Sequence, residues 1–478
     1  MTLRRSQGVW LLIDDDRLQQ RAAVSDASHH NCNYLNLDWR ARSFDVSMDD
    51  PPGSKGRYNA VGNGSGSHHG SSRHGSQAEE GGSNHGHFHK KSLSFPALVV
   101  LIFYGVSGGP FGMEEAVAAG GPLLTLLGLV LLPLAWSIPE ALVTAELSTA
   151  FPEASGFVAW VSAAFGPYWG FMEGYWSWLS GVADNSLYAV LILDYVLRLL
   201  DPDSPLMEGL PRAAFLLATC ALLTMLNLRG LQFVGRTAIL VCVFSLLPFI
   251  IMSCWGLKGY QYPSNWLDLP AGGLQAVEWG TLLNVMFWNL NYWDSAASFA
   301  GEVDNPGRAF PRAMACCIVL VVLSGALPIL AGTGVSANPD YALWEDGYFE
   351  AAATAVGGPW LGLWVVIAAA VSNVGLFEAE MSSDSMQLMG MADRGMVPKV
   401  LGRRTKSGSP LVATLLSATG VLLLGFLSFS AIVEILNSLY VFAELLEFAA
   451  FIKLRMDRPD LPRPFRVPLS TTGCIVML

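Results

Sequence analysis

The stretch Tyr104-Gly105-Val106-Ser107-Gly108-Gly109-Pro110-Phe111-Gly112-Met113-Glu114-Glu115 decides how this chain reads. It interrupts an otherwise apolar run from Phe95 to about Ala119, and Gly105 to Gly112 carry four glycines and a proline in eight residues. A helix interior loses about 1 kcal/mol for a glycine and about 3 for a proline. Pro110 also leaves a carbonyl one turn back without its donor. Inside a bilayer such freed backbone groups are tolerated only where they are buried in protein or line a wet cavity. The interruption therefore reads either as a packing kink with small residues for close helix contact, or as a broken helix at a site, ending in two carboxylates.

The composition supplies the membrane. Of 478 residues, 52% are hydrophobic and 14% charged, against about 25% charged in soluble domains. From about residue 95 onward apolar runs recur, each long enough for a hydrocarbon layer of about 30 Å. They read as ten spans, near 95–119, 121–148, 168–199, 211–228, 233–256, 275–300, 312–332, 358–390, 410–428 and 431–454. A net charge of −11 excludes nucleic acid as a partner, because no basic face exists to neutralise phosphates. The seven cysteines show neither metal nor disulfide spacing. All eight histidines lie before residue 90, so any proton carried through the membrane must ride on a carboxylate.

Residues 1–92 are polar and low in complexity and are expected to be disordered. His29/His30, His68/His69 and the alternating His85, His87 and His89 fall in this tail, and no metal site is expected from them. Basic residues cluster before the first span and after even-numbered ones, as with Arg229 and Arg236, Arg308 and Arg312, and Arg403 and Arg404. The long 333–357 loop instead carries Asp340, Glu345, Asp346 and Glu350. The positive-inside rule then places the N-terminus in the cytoplasm. After Pro468 a new apolar run, Thr471 to Leu478, starts and the sequence stops, which reads as a truncated eleventh span.

A second interruption, Phe287-Trp288-Asn289-Leu290-Asn291-Tyr292-Trp293-Asp294-Ser295, lies in the sixth span. Polar residues at mid-span are costly in lipid unless they face the bundle interior. Breaks at matching places in two halves of a transporter are the strongest sequence pointer to its site. The spans are also rich in acid: Glu114, Glu115, Glu140, Glu146, Asp184, Asp294, Glu378, Glu380 and Asp384 among others. Glu146 is expected near a membrane edge, and Glu444 and Glu447 are expected to pair with Lys453 or Arg455. Asp184, Asp294, Glu378 and Glu380 have no cationic partner in the sequence. Acids without one, in a low dielectric, suit proton coupling or a cationic substrate. Trp176, Trp178, Trp288, Tyr292 and Trp293 add aromatic faces, over which a cation gains about 0.5–2 kcal/mol.

These residues resemble the amino acid–polyamine–organocation superfamily, and more closely the plant polyamine uptake transporters of its L-type amino acid transporter-like branch. The resemblance covers about Phe95 to Pro468. It rests on Gly105 to Glu115, on Asp184-Asn185, on Gly301-Glu302-Val303-Asp304-Asn305-Pro306-Gly307-Arg308, and on Met391-Ala392-Asp393-Arg394-Gly395-Met396-Val397-Pro398. It implies an all-α polytopic membrane protein, a five-plus-five inverted-repeat bundle with helices 1 and 6 broken and the peripheral C-terminal helices truncated. The divisions would be a tail over 1–92, repeats over 93–258 and 259–456, and a final segment over 457–478.

The activity implied is import of polyamines, expected as proton symport at the plasma membrane, by a multi-pass carrier that is not an enzyme and needs no cofactor. The alternatives are an amino acid permease of the same fold and an inactive truncated isoform or sensor. The substrate would meet Gly105, Val106, Ser107, Gly108 and Gly109, then Asn185, Trp288, Trp293, Asp294 and Glu380. Protons would be carried among Glu114, Glu115, Asp184, Asp294, Glu378 and Glu380. Glu114 and Glu115 stand in the first turn after the break and already complement the helix dipole, so a substrate carboxylate there would be repelled.

Overall fold

The computed structural model describes residues 2–6, 9–13, 93–200, 209–259, 262–335, 339–427 and 429–478. Most of the tail, with all of its histidines, lies outside the described residues. The part described is a hairpin, Thr2–Ser6 (β1) antiparallel to Val9–Ile13 (β2), which belongs to a unit of its own. From Leu93 onward the chain is a bundle of helices.

Helix α1 (Phe95–Val106) begins after an extended Ser94, with Pro96 in its first turn, where a missing N–H costs nothing. It ends where the amides of Ser107 and Gly108 both turn back to Phe103 O, at 2.9 and 3.0 Å. Gly108, Gly109 and Gly112 then take φ of 67°, 130° and 80°, a region open to glycine and costly for other residues. Helix α2 (Glu114–Leu132) resumes on the far side. It kinks at Gly121 and Pro122, and the connection before the next break repairs the lost ladder: Glu278 N donates to Ala119 O and Leu123 N to Asp268 O, at 3.0 and 3.2 Å. A π turn at Pro133–Ser137 leads into α3 (Ile138–Ala150).

Next come α4 (Gly156–Phe165), α5 (Pro167–Leu200), α6 (Gly209–Asn227) and α7 (Leu231–Gly259). Helix α8 (Trp279–Trp288) stops, and after an irregular stretch the chain winds into a 3-10 segment, Asp294–Glu302. The remaining helices are α9 (Pro306–Thr333), α10 (Phe349–Gly357), α11 (Pro359–Asp393), α12 (Leu411–Leu424), α13 (Phe429–Asp457) and α14 (Thr471–Met477).

Six described helical stretches are long and apolar enough to cross a bilayer: Glu114–Ala150, Gly209–Asn227, Leu231–Gly256, Pro306–Thr333, Pro359–Asp393 and Ala431–Asp457. The protein is an integral, multi-pass membrane protein. Helices α1 and α8, with 12 and 10 residues, rise only about 18 and 15 Å and reach partway into such a layer.

The core is built on α5, which packs most extensively against α11 and α13, while α7 covers another face of α11. Every residue of α11 from Gly375 to Ala392 is buried. Close approach of α5 to α11 needs Gly181, where an added Cβ would stand 2.6 Å from Glu380 Oε1 and collide with Asp384. At the end of the bundle opposite the 333–357 loop, Glu146 is fully buried. Its carboxylate takes Arg455, an ion pair with Arg463 (3.0 Å) and the amide of Val467 (2.8 Å). Arg455 is therefore not the partner of Glu444 or Glu447, and Lys453 pairs with Asp457 instead (2.5 Å). The expected neutralisation of those two glutamates does not occur.

Candidate functional site

Two interruptions meet around one cavity of about 210 Å³. Gly105, Val106 and Ser107, at the end of α1, form one wall with Phe111 and Gly112. The end of α8 supplies Val285, Trp288 and Asn289, followed by Tyr292. Helix α5 presents Asp184, Tyr188, Leu191 and Tyr195, at the i, i+4, i+7, i+11 spacing of one helical face. Asp194 borders that face, Asn373 and Leu376 come from α11, and Asp346 from the loop before α10.

The broken segment is held open by specific bonds. Ser107 Oγ donates to Gly109 O (2.9 Å) and Ser372 Oγ of α11 donates to Gly108 O (2.7 Å). Gly112 accepts the Trp288 ring so closely that an added Cβ would lie 2.8 Å from it. Glu114 Oε2 receives the amide of Gly112 (2.9 Å), just ahead of its own helix, and Glu114 Oε1 receives the amide of Gly347 (3.2 Å). The same carboxylate thus ties the break to the loop. Next to it Asp346 accepts from Tyr195 Oη (2.9 Å). In the preceding part of that connection Tyr341 donates to Asp268 (2.8 Å). Burial and this carboxylate raise the Tyr341 phenol well above its usual range.

Asp184 marks the inner end of the cavity. It accepts Trp288 Nε1 (2.8 Å) and the hydroxyl of Tyr188. At the second interruption Tyr292 takes φ 68°. Its hydroxyl meets Ser180 Oγ (2.9 Å) and its ring stacks on Tyr440 at 4.2 Å between centroids. Leu290 O is satisfied by Ser137 Oγ (2.6 Å) and Trp293 Nε1 (3.0 Å).

Beyond the tyrosine pair lies a separate, fully buried group of acids. Glu140 Oε1 receives the amides of Trp293 and Asp294, so it caps the 3-10 segment from another helix. The Tyr440 hydroxyl is within reach of Glu140 (2.7 Å), Asp294 (3.0 Å) and Glu444 (3.5 Å). Oxygens of Glu140, Asp294 and Glu444 lie within 4.8 Å of one another. Glu140 Oε1 is taken by two amides and a phenol, while Glu140 Oε2 and Glu444 Oε1 have no hydrogen-bond partner.

The structure thus brings together Gly105, Val106, Ser107, Glu115, Asp184 and Trp288 on the cavity. Gly108 and Gly109 shape the break without lining the space. Trp293 and Asp294 belong to the buried acid group behind Tyr292 and Tyr440. Glu380 stands against Gly181 with Asp384, and Glu378 takes Asn227 of α6 (3.1 Å), facing another way. Asn185 is buried off the cavity, with no hydrogen bond to its amide. Trp176 lies beside Phe442, and Trp178 donates to Ser417 (2.9 Å), so both face other helices. Sequence reasoning missed Asn373, Tyr188 and Asp194. The spacing from Asp184 through Tyr188 to Tyr195 on one long helix could have found Tyr188.

Among the described residues, four carboxylates line the cavity, at Glu115, Asp184, Asp194 and Asp346, and no Lys, Arg or His does. The C-terminal ends of α1 and α8 also face it, and helix C-termini carry partial negative charge. The matching N-termini are covered by Glu114 and Glu140. The described lining is therefore electronegative.

Comparison with known proteins gives this geometry its setting. The chain is 52% identical to the polyamine transporter PUT1 of Oryza sativa subsp. japonica, over 81% of this chain and 72% of the relative. It is 50% identical to the polyamine transporter RMV1 of Arabidopsis thaliana, over 81% and 78%. A glutamate/gamma-aminobutyrate antiporter of Lactococcus lactis subsp. lactis is 27% identical over 75% and 76%. Residues 93–478 match the family described as amino acid permease, and the chain belongs to that family of membrane transporters.

Proposed function

We propose that this carrier imports polyamines by proton symport. The observation that carries the reading is the cavity itself, lined among the described residues by four acids and no base. A polyamine offers ammonium groups and no carboxylate, so it matches the acids and needs nothing from the helix N-termini that Glu114 and Glu140 occupy. Trp288 provides an aromatic face beside Asp184, suited to a desolvated cation. Relatives above 50% identity bear the name of polyamine transporters, which supports the same substrate class.

In this reading residues 93–258 and 259–456 are two five-helix repeats of opposite orientation, each with a broken first helix, and they rock about the cavity to alternate access. The N-terminus and the base-rich loops face the cytoplasm at the plasma membrane, and the Asp346 loop faces outward. Protons ride on the buried acids, with Asp184 at the cavity and Asp294, Glu378 and Glu380 behind it. An amino acid carboxylate has no free helix N-terminus to bind, which disfavours the permease alternative.

The test is uptake of radiolabelled spermidine into proteoliposomes with an inward proton gradient. Uptake should collapse with a protonophore, resist excess leucine, and fall at least tenfold in Asp184→Asn. Uptake indifferent to the gradient overturns the coupling, and uptake blocked by leucine overturns the substrate. Unaltered uptake by Asp294→Asn combined with Glu380→Gln removes those two residues from the proton route.

A further inference from the structure

The connection from α11 to α12 carries Arg403-Arg404-Thr405-Lys406-Ser407-Gly408-Ser409-Pro410. Three hydroxyls stand there among three bases, and the fold treats them differently. Ser409 is 6% exposed and donates to Asn227 O (3.3 Å). Thr405 is half-buried, and its Oγ1 receives the amide of Ser409 (3.2 Å). Of the three, Ser407 alone is exposed. Two arginines and a lysine precede it, a charge pattern that suits protein kinases whose own clefts are acidic. Ser409 precedes a proline, a pattern that suits other kinases, but its burial withholds it.

Ser407 also ties two turns together. Its Oγ donates to Leu228 O (2.8 Å), between α6 and α7, and meets Thr405 Oγ1 (2.8 Å). Gly230, with φ 108°, packs so closely that an added Cβ would stand 2.7 Å from Ser407 O. The turns border a cleft of about 220 Å³, lined by Arg404, Lys406 and Ser407 together with Asn227, Ser382 and Glu302. A second tie lies in the same cleft, where Arg404 pairs with Glu302 (3.4 Å) at the end of the 3-10 segment.

We propose that Ser407 is a phosphorylation site, and that a phosphate there releases the 404–410 turn from Leu228 and from Glu302. Within a base-directed serine/threonine kinase, Ser407 Oγ attacks the γ-phosphorus of ATP. The bond from that phosphorus to the bridging oxygen breaks, ADP leaves, and the hydroxyl proton passes to the kinase's general base. The phosphoserine has no hydroxyl proton to give Leu228 O, and it sets about 1.5–2 negative charges beside that carbonyl. Its oxygens attract Arg404 and Lys406 as charge-assisted donors, which draws Arg404 from Glu302. One modification thus undoes both ties. With the base-rich loops in the cytoplasm, as proposed above, the site meets ATP and kinases; the inference rests on that placing and on polyamine uptake. Delivery of the amine to that side needs the cleft to open, so phosphorylation speeds turnover.

The experiment treats the purified full-length protein with the catalytic subunit of protein kinase A and ATP, then maps phosphate by fragment mass. Phosphate is expected on Ser407, and that fragment should stay unmodified in Ser407→Ala. In proteoliposomes, the phosphorylated protein and Ser407→Asp should take up saturating spermidine about threefold faster, the scale of one exposed ion pair, with KM unchanged. Arg404→Gln, which parts the ion pair without a phosphate, should match them. The phosphorylated protein should also have a lower Tm, a readout that needs no substrate. No phosphate on Ser407, wherever else it goes, overturns the site. Unchanged or slower uptake, or an unchanged Tm, in protein that carries the phosphate overturns the release. A carrier that takes up no spermidine overturns the polyamine reading instead, while mapping and Tm still decide this one.

Discussion

The two interruptions solve the same problem by different means. Each leaves a helix N-terminus with unpaired amides in the middle of the bundle. At the first, the cap is local: Glu114 reaches back two residues to Gly112 and spends its other oxygen on Gly347. At the second, the cap is remote: Glu140 arrives from α3 to receive Trp293 and Asp294, and Tyr440 braces it. One cap is joined to a loop at the mouth of the cavity, the other is locked in a buried network. The bonds at the first break are part-buried, and those at the second are fully buried.

Substitutions at the caps test this contrast. The largest effect is expected from Glu140→Ala, which strands two buried amides, at about 1–3 kcal/mol each. Thermal unfolding in detergent should show a much lower Tm, and little folded protein should survive purification. Glu114→Ala strands amides nearer the surface, so its Tm should fall less. A Tm loss in Glu114→Ala as large as that of Glu140→Ala would break the comparison.

Gly112→Ala comes next. Its φ of 80° and the Trp288 ring 2.8 Å from the new Cβ oppose the change, the backbone alone costing about 1–2 kcal/mol. Uptake of spermidine should drop about tenfold while the protein still folds. Glu114→Gln keeps an oxygen for the amides and removes the charge. Its Tm should stay close to wild type, but leucine should begin to inhibit spermidine uptake, since the helix N-terminus no longer repels a carboxylate. Ser372→Ala, which deletes one bond to Gly108 O, should be smallest, about 0.5–1.5 kcal/mol in stability, with uptake nearly intact.

Local features were legible in the sequence, and long-range ones were not. Glycines and proline between Gly105 and Gly112 announce a helix that cannot continue, and the asparagines around Leu290 do the same. That Glu140 would cap a segment 153 residues away has no local signature. The facing of α11 was hidden for another reason. Because its residues are buried on all sides from Gly375 to Ala392, no apolar stripe sets the rotation of the helix. Glu380, chosen by resemblance, turns toward Gly181, and Asn373, two turns earlier, lines the cavity. Glu444 and Glu447 were assigned to Lys453 and Arg455 by proximity in sequence. The three-dimensional pairing of Arg455 with Glu146, 309 residues distant, overrode that.

The tie between Glu114 and Gly347 has a kinetic consequence. The Gly347 N–H is one of the dipoles that offset the charge on Glu114 Oε1, so a mouth in which the two were parted would leave that charge less compensated. Asp346 and Glu115 stand at the same mouth. An entrance parted in that way would be more electronegative than the one described, and would pull hardest on a cation. Association should therefore be accelerated by long-range attraction and slowed by added salt, whose screening length is about 8 Å at physiological ionic strength, while escape of the bound amine depends on the shorter contacts within.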